Sequence, residues 1–188
     1  CRGMTTATWK EPVLVGTQAR IWPYVRGIYG RDTLYRLWRV IESCHAGPSL
    51  FWGVHASPDI HGDLVSFIKY CDDIGRYLLI VTNLEGNEIV GCVWFDDLVP
   101  QYRCFGSIFI HPKYRGHFSE EVMDLVLRYA FETLEMQSVW GVTPWLAATA
   151  LCLRCGFSVV AELPQFTRLN GRERDVTVVR ISKESFYG

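Results

Sequence analysis

Lys113, Arg115 and His117 fall within five positions of one another around Gly116, and Ser119, Glu120 and Glu121 follow directly. Cationic side chains, a hydroxyl and a glycine in so short a span offer donors and a close backbone approach. Those are the requirements for holding an anion the size of a phosphate. A second set of residues has the chemistry to move protons. Asp96, its neighbour Asp97 and His111 are acceptors, and the Cys152 thiol is a donor. Each also has a plain structural role open to it. Asp96-Asp97 suits the polar end of a hairpin strand, His111 before Pro112 suits a turn, and Cys152 suits a small buried position on a helix.

The elements around these residues must position them. Ile108–Ile110 is an apolar strand end, and behind the basic loop Val122, Leu125, Val126, Tyr129, Ala130 and Leu134 form the stripe of an amphipathic helix. Strand, loop and helix N-terminus therefore fall in line, and a helix N-terminus carries unpaired N–H groups and partial positive charge. Two arrangements of the loop follow from its residues. In one, Ser119 caps the helix, Glu120 and Glu121 satisfy its first turn, and Phe118 staples onto Met123. In the other, Lys113, Arg115 and His117 serve a bound phosphate against the bulk of Phe118 and the charge of the two glutamates. Whether Phe118 stands over the helix N-terminus or swings away separates them.

Upstream, Trp9–Ile28 is broken by Pro12, Pro23 and Gly27, which predicts a short strand near Val13–Val15 and an interrupted helix. Asp32 or Thr33 caps a helix with Leu34, Leu37, Trp38 and Ile41 on one face, ending before Gly47-Pro48. Phe51–Ala56 predicts a strand, and Pro58–Cys71 a helix. Tyr77–Leu84 and Glu88–Phe95 form a hairpin about Glu85-Gly86-Asn87, and a loop from Asp96 to Gln101 leads to a strand from Tyr102 to Ile110. Beyond the amphipathic helix come a strand Val139–Val142, a helix Leu146–Cys155 stopped by Gly156, and strands Val159–Leu169 and Asp175–Ile181 about Asn170-Gly171. The strand after the amphipathic helix crosses over and must lie parallel to the one before it.

The 188 residues are 49% hydrophobic and 14% aromatic with a formal net charge of -1, values that place the chain among ordered globular proteins. Neither nucleic acid nor an anionic membrane surface is expected as a partner from that charge. No apolar run reaches the ~18–20 residues of a membrane helix. Cys1-Arg2-Gly3 ahead of Met4 reads as a fusion scar; 4–48 then reads as an N-terminal helical elaboration and 49–188 as the main domain. The remaining cysteines lie mostly in apolar segments as free thiols do, so a cytoplasmic protein is expected. The lone Cys152–Cys155 spacing has no second pair, and His55, Asp59, His61 and Asp63 suit a polar helix start, so no metal is expected.

The stretch from Glu85 to Phe157 resembles the GCN5-related N-acetyltransferase (GNAT) family. The resemblance rests on the hairpin EGNEIVGCVWFDD, the strand and loop IFIHPKYRG, the helix ending LRYAFETLEMQSVWGV, and the helix with its stop ATALCLRCGF. It implies an α/β fold with a mixed, mostly antiparallel sheet split between the strand ending at Ile110 and the strand starting at Ser138, with helices on both faces. It implies acetyl-CoA as co-substrate, with its pyrophosphate at Arg115, Gly116, His117, Phe118 and Ser119 and its thioester carbonyl against the backbone N–H groups of Phe109 and Ile110. Family positions for an asparagine and a tyrosine acid match Trp145 and Cys152 here, and the position for a glutamate base matches Cys104 or Phe105. Asp96, Asp97 and His111 are the remaining candidates to accept the amine's proton, directly or through water.

Three functions are compatible with these residues. The first is acetyl transfer from acetyl-CoA to an amine of a protein or small molecule. The second is a scaffold without catalysis that binds another protein through the aromatic and arginine residues of its N-terminal third, among them Trp22, Tyr24, Tyr35 and Trp38. The third is a CoA binder that senses or carries.

Overall fold

The structure is a computed structural model, and it describes residues 13–25, 31–43, 77–169 and 172–188, together with 65, 68, 69, 71 and 72. The Gly47-Pro48 helix stop, the Phe51–Ala56 strand, the His55–Asp63 cluster, the start of the Pro58 helix and Asn170-Gly171 lie outside the described residues. So do residues 1–12.

Among the described residues, eight strands form one sheet in the order β1-β2-β3-β4-β5-β6-β8-β7. They are β1 (Leu14–Val15), β2 (Ala19–Pro23), β3 (Leu78–Asn83), β4 (Ile89–Val99), β5 (Arg103–Ile110), β6 (Ser138–Thr143), β7 (Ser158–Leu169) and β8 (Arg172–Ser182). Every neighbouring pair is antiparallel except β5 and β6, which are parallel. The parallel pair is joined by α2 (His117–Arg128), a crossover that two parallel neighbours require. α1 (Arg31–Ser43), α3 (Leu146–Arg154) and α4 (Lys183–Tyr187) are further α-helices, and α2 runs directly into a π-helical turn, Tyr129–Thr133.

The two-sided core explains the near-continuous apolar runs of β3 and β4. Leu79, Val81, Val93 and Phe95 pack with Val122, Val126 and Leu127 of α2, whereas Leu78, Ile80, Cys92 and Trp94 pack with Leu34, Leu37, Trp38 and Ile41 of α1. Successive strand residues alternate faces, so a strand covered on both sides must be apolar at both parities. Trp22, Tyr24 and Trp38 are buried within this core, and of the described aromatics of the N-terminal third only Tyr35 is exposed.

Two expectations differ from the fold. Ala19–Pro23 is a strand paired with β3, where an interrupted helix was predicted. The loop predicted to begin at Asp96 begins later: β4 continues to Val99 through a register shift, with Asp97 at φ 43°, and the turn is confined to residues 100–102. The pairing with β5 outweighs the loop propensity of two adjacent aspartates.

β5 and β6 are paired only at Arg103↔Ser138, Cys104↔Val139 and Phe105↔Trp140. Beyond that point β5 stays with β4 as far as Ile110, and β6 stays with β8 as far as Thr143. The sheet is therefore split where the sequence placed the split. Past Phe105 and Trp140 the two strands are no longer paired, and a gap opens between them on the side of the loop that follows Ile110.

Candidate active site

The loop begins with a single 3-10 turn, Pro112–Tyr114, whose first N–H, that of Lys113, donates to His111 Nδ1 at 3.2 Å. Gly116 then adopts φ 94° and ψ -136°, with nothing within 4 Å of where a Cβ would stand. That conformation is open to glycine and strained for other residues. It turns the chain sharply enough for α2 to begin at His117, three residues before the start expected from a Ser119 cap.

This earlier start changes what each following side chain does. Ser119 is inside the first turn and is not the cap; it is buried, and its hydroxyl donates to the Tyr114 carbonyl at 3.4 Å. Gly116 is the N-cap, and no side chain caps the helix. Phe118 points away from the helix N-terminus into the core, 6% exposed, with its ring 5.2 Å from that of Tyr114. The obstruction feared from its bulk is absent, and since its backbone is helical it needs no left-handed conformation.

Both glutamates are turned aside as well. Glu120 accepts from Arg154 Nε of α3 at 2.6 Å and lies 3.2 Å from the His117 ring. The hydrogen bond from Arg154, then that from His117, hold its carboxyl below the usual range. Glu121 reaches back to the β1–β2 turn and accepts from Thr17 Oγ1, the Gln18 amide at 2.8 Å and the Ala19 amide at 3.2 Å. Burial pushes this carboxyl up, but those hydrogen bonds together outweigh it and leave it lowered. Gly16 permits the contact, because a Cβ there would lie 2.1 Å from Glu121 Oε1. What faces the loop mouth is then an uncapped helix N-terminus beside Arg115, which is exposed and has no carboxylate partner among the described residues.

The two backbone groups expected to polarise a carbonyl are not equivalent. The His111 amide donates to the Val90 carbonyl at 2.8 Å, so the alternation of the β4–β5 ladder turns the Phe109 N–H toward β4 and the Ile110 N–H toward the gap side. Phe109 instead stacks on Trp94 at 5.6 Å between centroids, beneath α1.

The three proton-transfer candidates do not converge. Asp96 lies opposite Phe105, which lies opposite Trp140, the last pair before β5 and β6 part. Its Oδ2 accepts from Trp94 Nε1 at 3.2 Å. Residues directly opposite project from one face, so Asp96 stands at the closed end of the gap on the α1 side. His111 is six residues further along from Phe105, about 20 Å away at ~3.3 Å per residue. Cys152 is on α3, across the sheet from α1, where it packs against the core on the α2 side. Burial, then the neighbouring Cys155, push its thiol up to about 11, so it stays protonated at neutral pH. A cavity of about 490 Å3 beside the α3 N-terminus, lined by Trp145, Leu146, Glu162, Pro164 and Arg174 among others, holds none of the predicted site residues. Among the described residues no group of three or more His, Cys, Asp or Glu is placed to hold a metal, and no helix is long and apolar enough to cross a membrane.

Sequence reasoning missed the partners that redirect Glu120 and Glu121. Arg154 and the Thr17–Ala19 turn are far from them in the chain, and no local pattern points to either.

A mixed sheet split between β5 and β6, with an uncapped helix N-terminus after the strand that ends at the split, defines the α/β fold of this protein. The model of the acetyltransferase (GNAT) family matches residues 32–157, which is 126 of the 188 residues. The chain belongs to that family. No curated protein matches it in sequence. Among solved structures, RimL, a ribosomal-protein alpha-N-acetyltransferase in complex with coenzyme A, is similar at TM-score 0.73 and 12% identity over 93% of this chain and 99% of its own. A spermidine N-acetyltransferase from Vibrio cholerae in complex with CoA and spermine is similar at TM-score 0.71 and 17% identity over 92% of this chain and 100% of its own. A GNAT-family acetyltransferase from Bacillus anthracis is similar at TM-score 0.66 and 12% identity over 89% and 96%. At these identities the likeness is one of fold.

Proposed function

We propose that the protein transfers an acetyl group from acetyl-CoA to a primary amine, with both substrates bound together. The observation that carries this reading is the state of the α2 start: Phe118 is in the core, Glu120 and Glu121 are engaged elsewhere, and the helix is uncapped. Helix dipole and free amides favour an anion there. The amides of His117, Phe118 and Ser119 with the Arg115 guanidinium hold the pyrophosphate, and the gap between β5 and β6 takes the pantetheine arm. CoA in the RimL and Vibrio cholerae complexes supports the choice of donor.

In the reaction the amine lone pair forms the new C–N bond at the thioester carbonyl, the C–S bond breaks, and CoA leaves as thiolate. The Ile110 amide, directed to the gap side, stands toward the carbonyl oxygen. Asp96 stands at the closed end of the gap, five residues from Ile110 along β5, so the surplus proton of the amine reaches it only through intervening water. Cys152 remains a thiol at pH 7; returning a proton from a group near 11 to a thiolate of ordinary pKa about 8.5 is uphill. Solvent is the better source of the proton that CoA acquires.

Calorimetric titration tests the reading. Wild-type protein binds acetyl-CoA at micromolar strength, and Arg115→Ala weakens it about tenfold or more, the effect of one charge-assisted hydrogen bond. Absence of heat at millimolar ligand, with no amine acetylated, overturns it.

A further inference from the structure

Strand β8 sorts its charges by face. Arg172 and Arg174 alternate with Glu173 and Asp175, so the two arginines project from one side of the sheet and the two carboxylates from the other. Arg180 has the parity of the two arginines, and its guanidinium lies 5.6 Å from the centroid of Trp140, the partner of Phe105 on the α1 side. Arg172 and Arg174 therefore face the α1 side, where α1 packs against β4 and β5, while α3 and α4 pack on the other side. Both carboxylates are engaged elsewhere: Glu173 pairs with Arg168 at 3.6 Å, and Asp175 accepts from the Gln165 N–H at 2.8 Å. Arg172 and Arg174 are exposed, and among the described residues no carboxylate pairs with either.

The same two arginines stand level with the reacting centre. Phe105, Trp140 and Arg180 are cross-strand partners. Ile110 lies five residues beyond Phe105, and Arg174 six residues before Arg180 on a strand that runs the opposite way. Both are therefore about 16–20 Å from that row in the same direction along the sheet. β6 ends at Thr143, and Arg172, Glu173, Arg174 and Val176 pair with β7 alone, so this part of β8 reaches past β6 beside the mouth of the split. A cavity of about 490 Å3 lies there, bordered by Trp145, Leu146 and Arg174. Glu162 and Asp175 also border it, and neither forms an ion pair with Arg174.

We infer that the acceptor is a polypeptide whose amino end is followed by acidic residues, laid across the end of β6 in extended form with alternate carboxylates on Arg174 and Arg172. This rests on the transferase reading above. At least two strand spacings, about 10 Å, separate Ile110 from Arg174, which is some three residues of extended chain. The third or fourth residue of a peptide whose amine is at Ile110 thus comes alongside Arg174. Arg172 and Arg174 repeat at about 7 Å, and so do alternate side chains of an extended peptide, so acids separated by one residue match both guanidinia. The other side of the split bears Asp96 and Asp97, and Arg103 there is held by Asp97 at 2.8 Å. Unneutralised positive charge leads away from the split on the β8 side, which suits a chain end rather than a lysine within an acidic segment. A polyamine brings further cations to the arginines, and their field opposes it.

The test uses the full chain with acetyl-CoA and peptides with a free amino end that carry glutamate, glutamine or lysine at the third and fifth positions. An amino-blocked glutamate peptide with an internal lysine and 1,4-diaminobutane complete the panel. The glutamate peptide is expected to exceed the glutamine peptide in kcat/KM by at least about tenfold, through KM, with the difference shrinking as salt is added. Arg174→Gln should reduce that preference, and Arg172→Glu combined with Arg174→Glu should reverse it toward the lysine peptide. A merely structural role for the arginines changes stability and reverses nothing. Glu173→Gln, on the opposite face, should leave the preference as in wild type, and the KM for acetyl-CoA stays at its wild-type value in every variant. Equal use of the three peptides, preference for the diamine or the blocked peptide, or an Arg174→Gln protein with undiminished preference would overturn the inference alone. So would binding of acetyl-CoA without acetylation of the glutamate peptide. Failure of the wild type to bind acetyl-CoA overturns the transferase reading and the inference with it.

Discussion

Replacing Phe118 with alanine distinguishes a core residue from an obstruction over the α2 N-terminus. Its ring is 6% exposed, contacts Tyr114 at 5.2 Å between centroids, and belongs to the cluster containing Val122, Met123 and Val126. Truncating a buried phenylalanine costs about 3–5 kcal/mol through lost transfer energy and an unfilled cavity. The lower figure suits this ring, because the adjoining 3-10 turn is half-exposed and can relax around it. For a chain of this length each kcal/mol moves the midpoint by about 2–4 °C, so a fall of about 6–12 °C is expected. Urea unfolding followed by tryptophan fluorescence gives the free energy, and calorimetry on the folded variant gives its affinity for acetyl-CoA. Affinity is expected to stay level or weaken, since the ring supports the turn that positions Arg115 and Gly116. A variant as stable as wild type that binds acetyl-CoA more tightly would refute the reasoning, for that is how a removed obstruction behaves.

Gly116→Ala meets no steric neighbour, so its cost is the backbone strain of a Cβ residue at φ 94°, about 1–3 kcal/mol. Chemical denaturation should show this loss and calorimetry a weaker acetyl-CoA complex; an unchanged protein on both counts contradicts the assigned loop geometry. Glu121 supplies a pH test. Its folded carboxyl titrates below the ordinary value of 4.5, so the stability it contributes is complete above that value and is lost as pH falls through the lower folded value. The stability difference between wild type and Glu121→Gln should accordingly be present at pH 7 and be lost as the pH falls through the lowered folded value. A difference independent of pH would contradict the anchoring of α2 to the β1–β2 turn.

The elements that declared themselves in the sequence were those whose burial is dictated locally. Leu78–Val81 is apolar at both parities because α1 and α2 cover opposite faces, and that run alone marks a central strand. The α2 stripe and the Gly156 stop, at φ 90°, are equally local. Ala19–Pro23 was misjudged because five residues with a terminal proline have no decisive propensity; pairing with Leu79–Asn83, some sixty residues on, makes them a strand. At the site, Ser119-Glu120-Glu121 is a good local cap signal, yet Gly116 takes the cap three residues sooner. That shift rotates Phe118 into the core and frees Glu120 and Glu121 to find Arg154 and the Thr17–Ala19 turn. The cap moves three residues, from Ser119 to Gly116, and the partners of the first turn then come from far along the chain, which is why the family was legible in the sequence while the state of its loop was not.

The most direct test of the central claim is a crystal structure of the protein with CoA. The pyrophosphate oxygens should lie about 2.7–3.2 Å from the amide nitrogens of His117, Phe118 or Ser119, with Arg115 alongside and the pantetheine arm between β5 and β6. A CoA molecule bound elsewhere, or an α2 N-terminus closed by its own side chains in crystals grown with excess CoA, would contradict it.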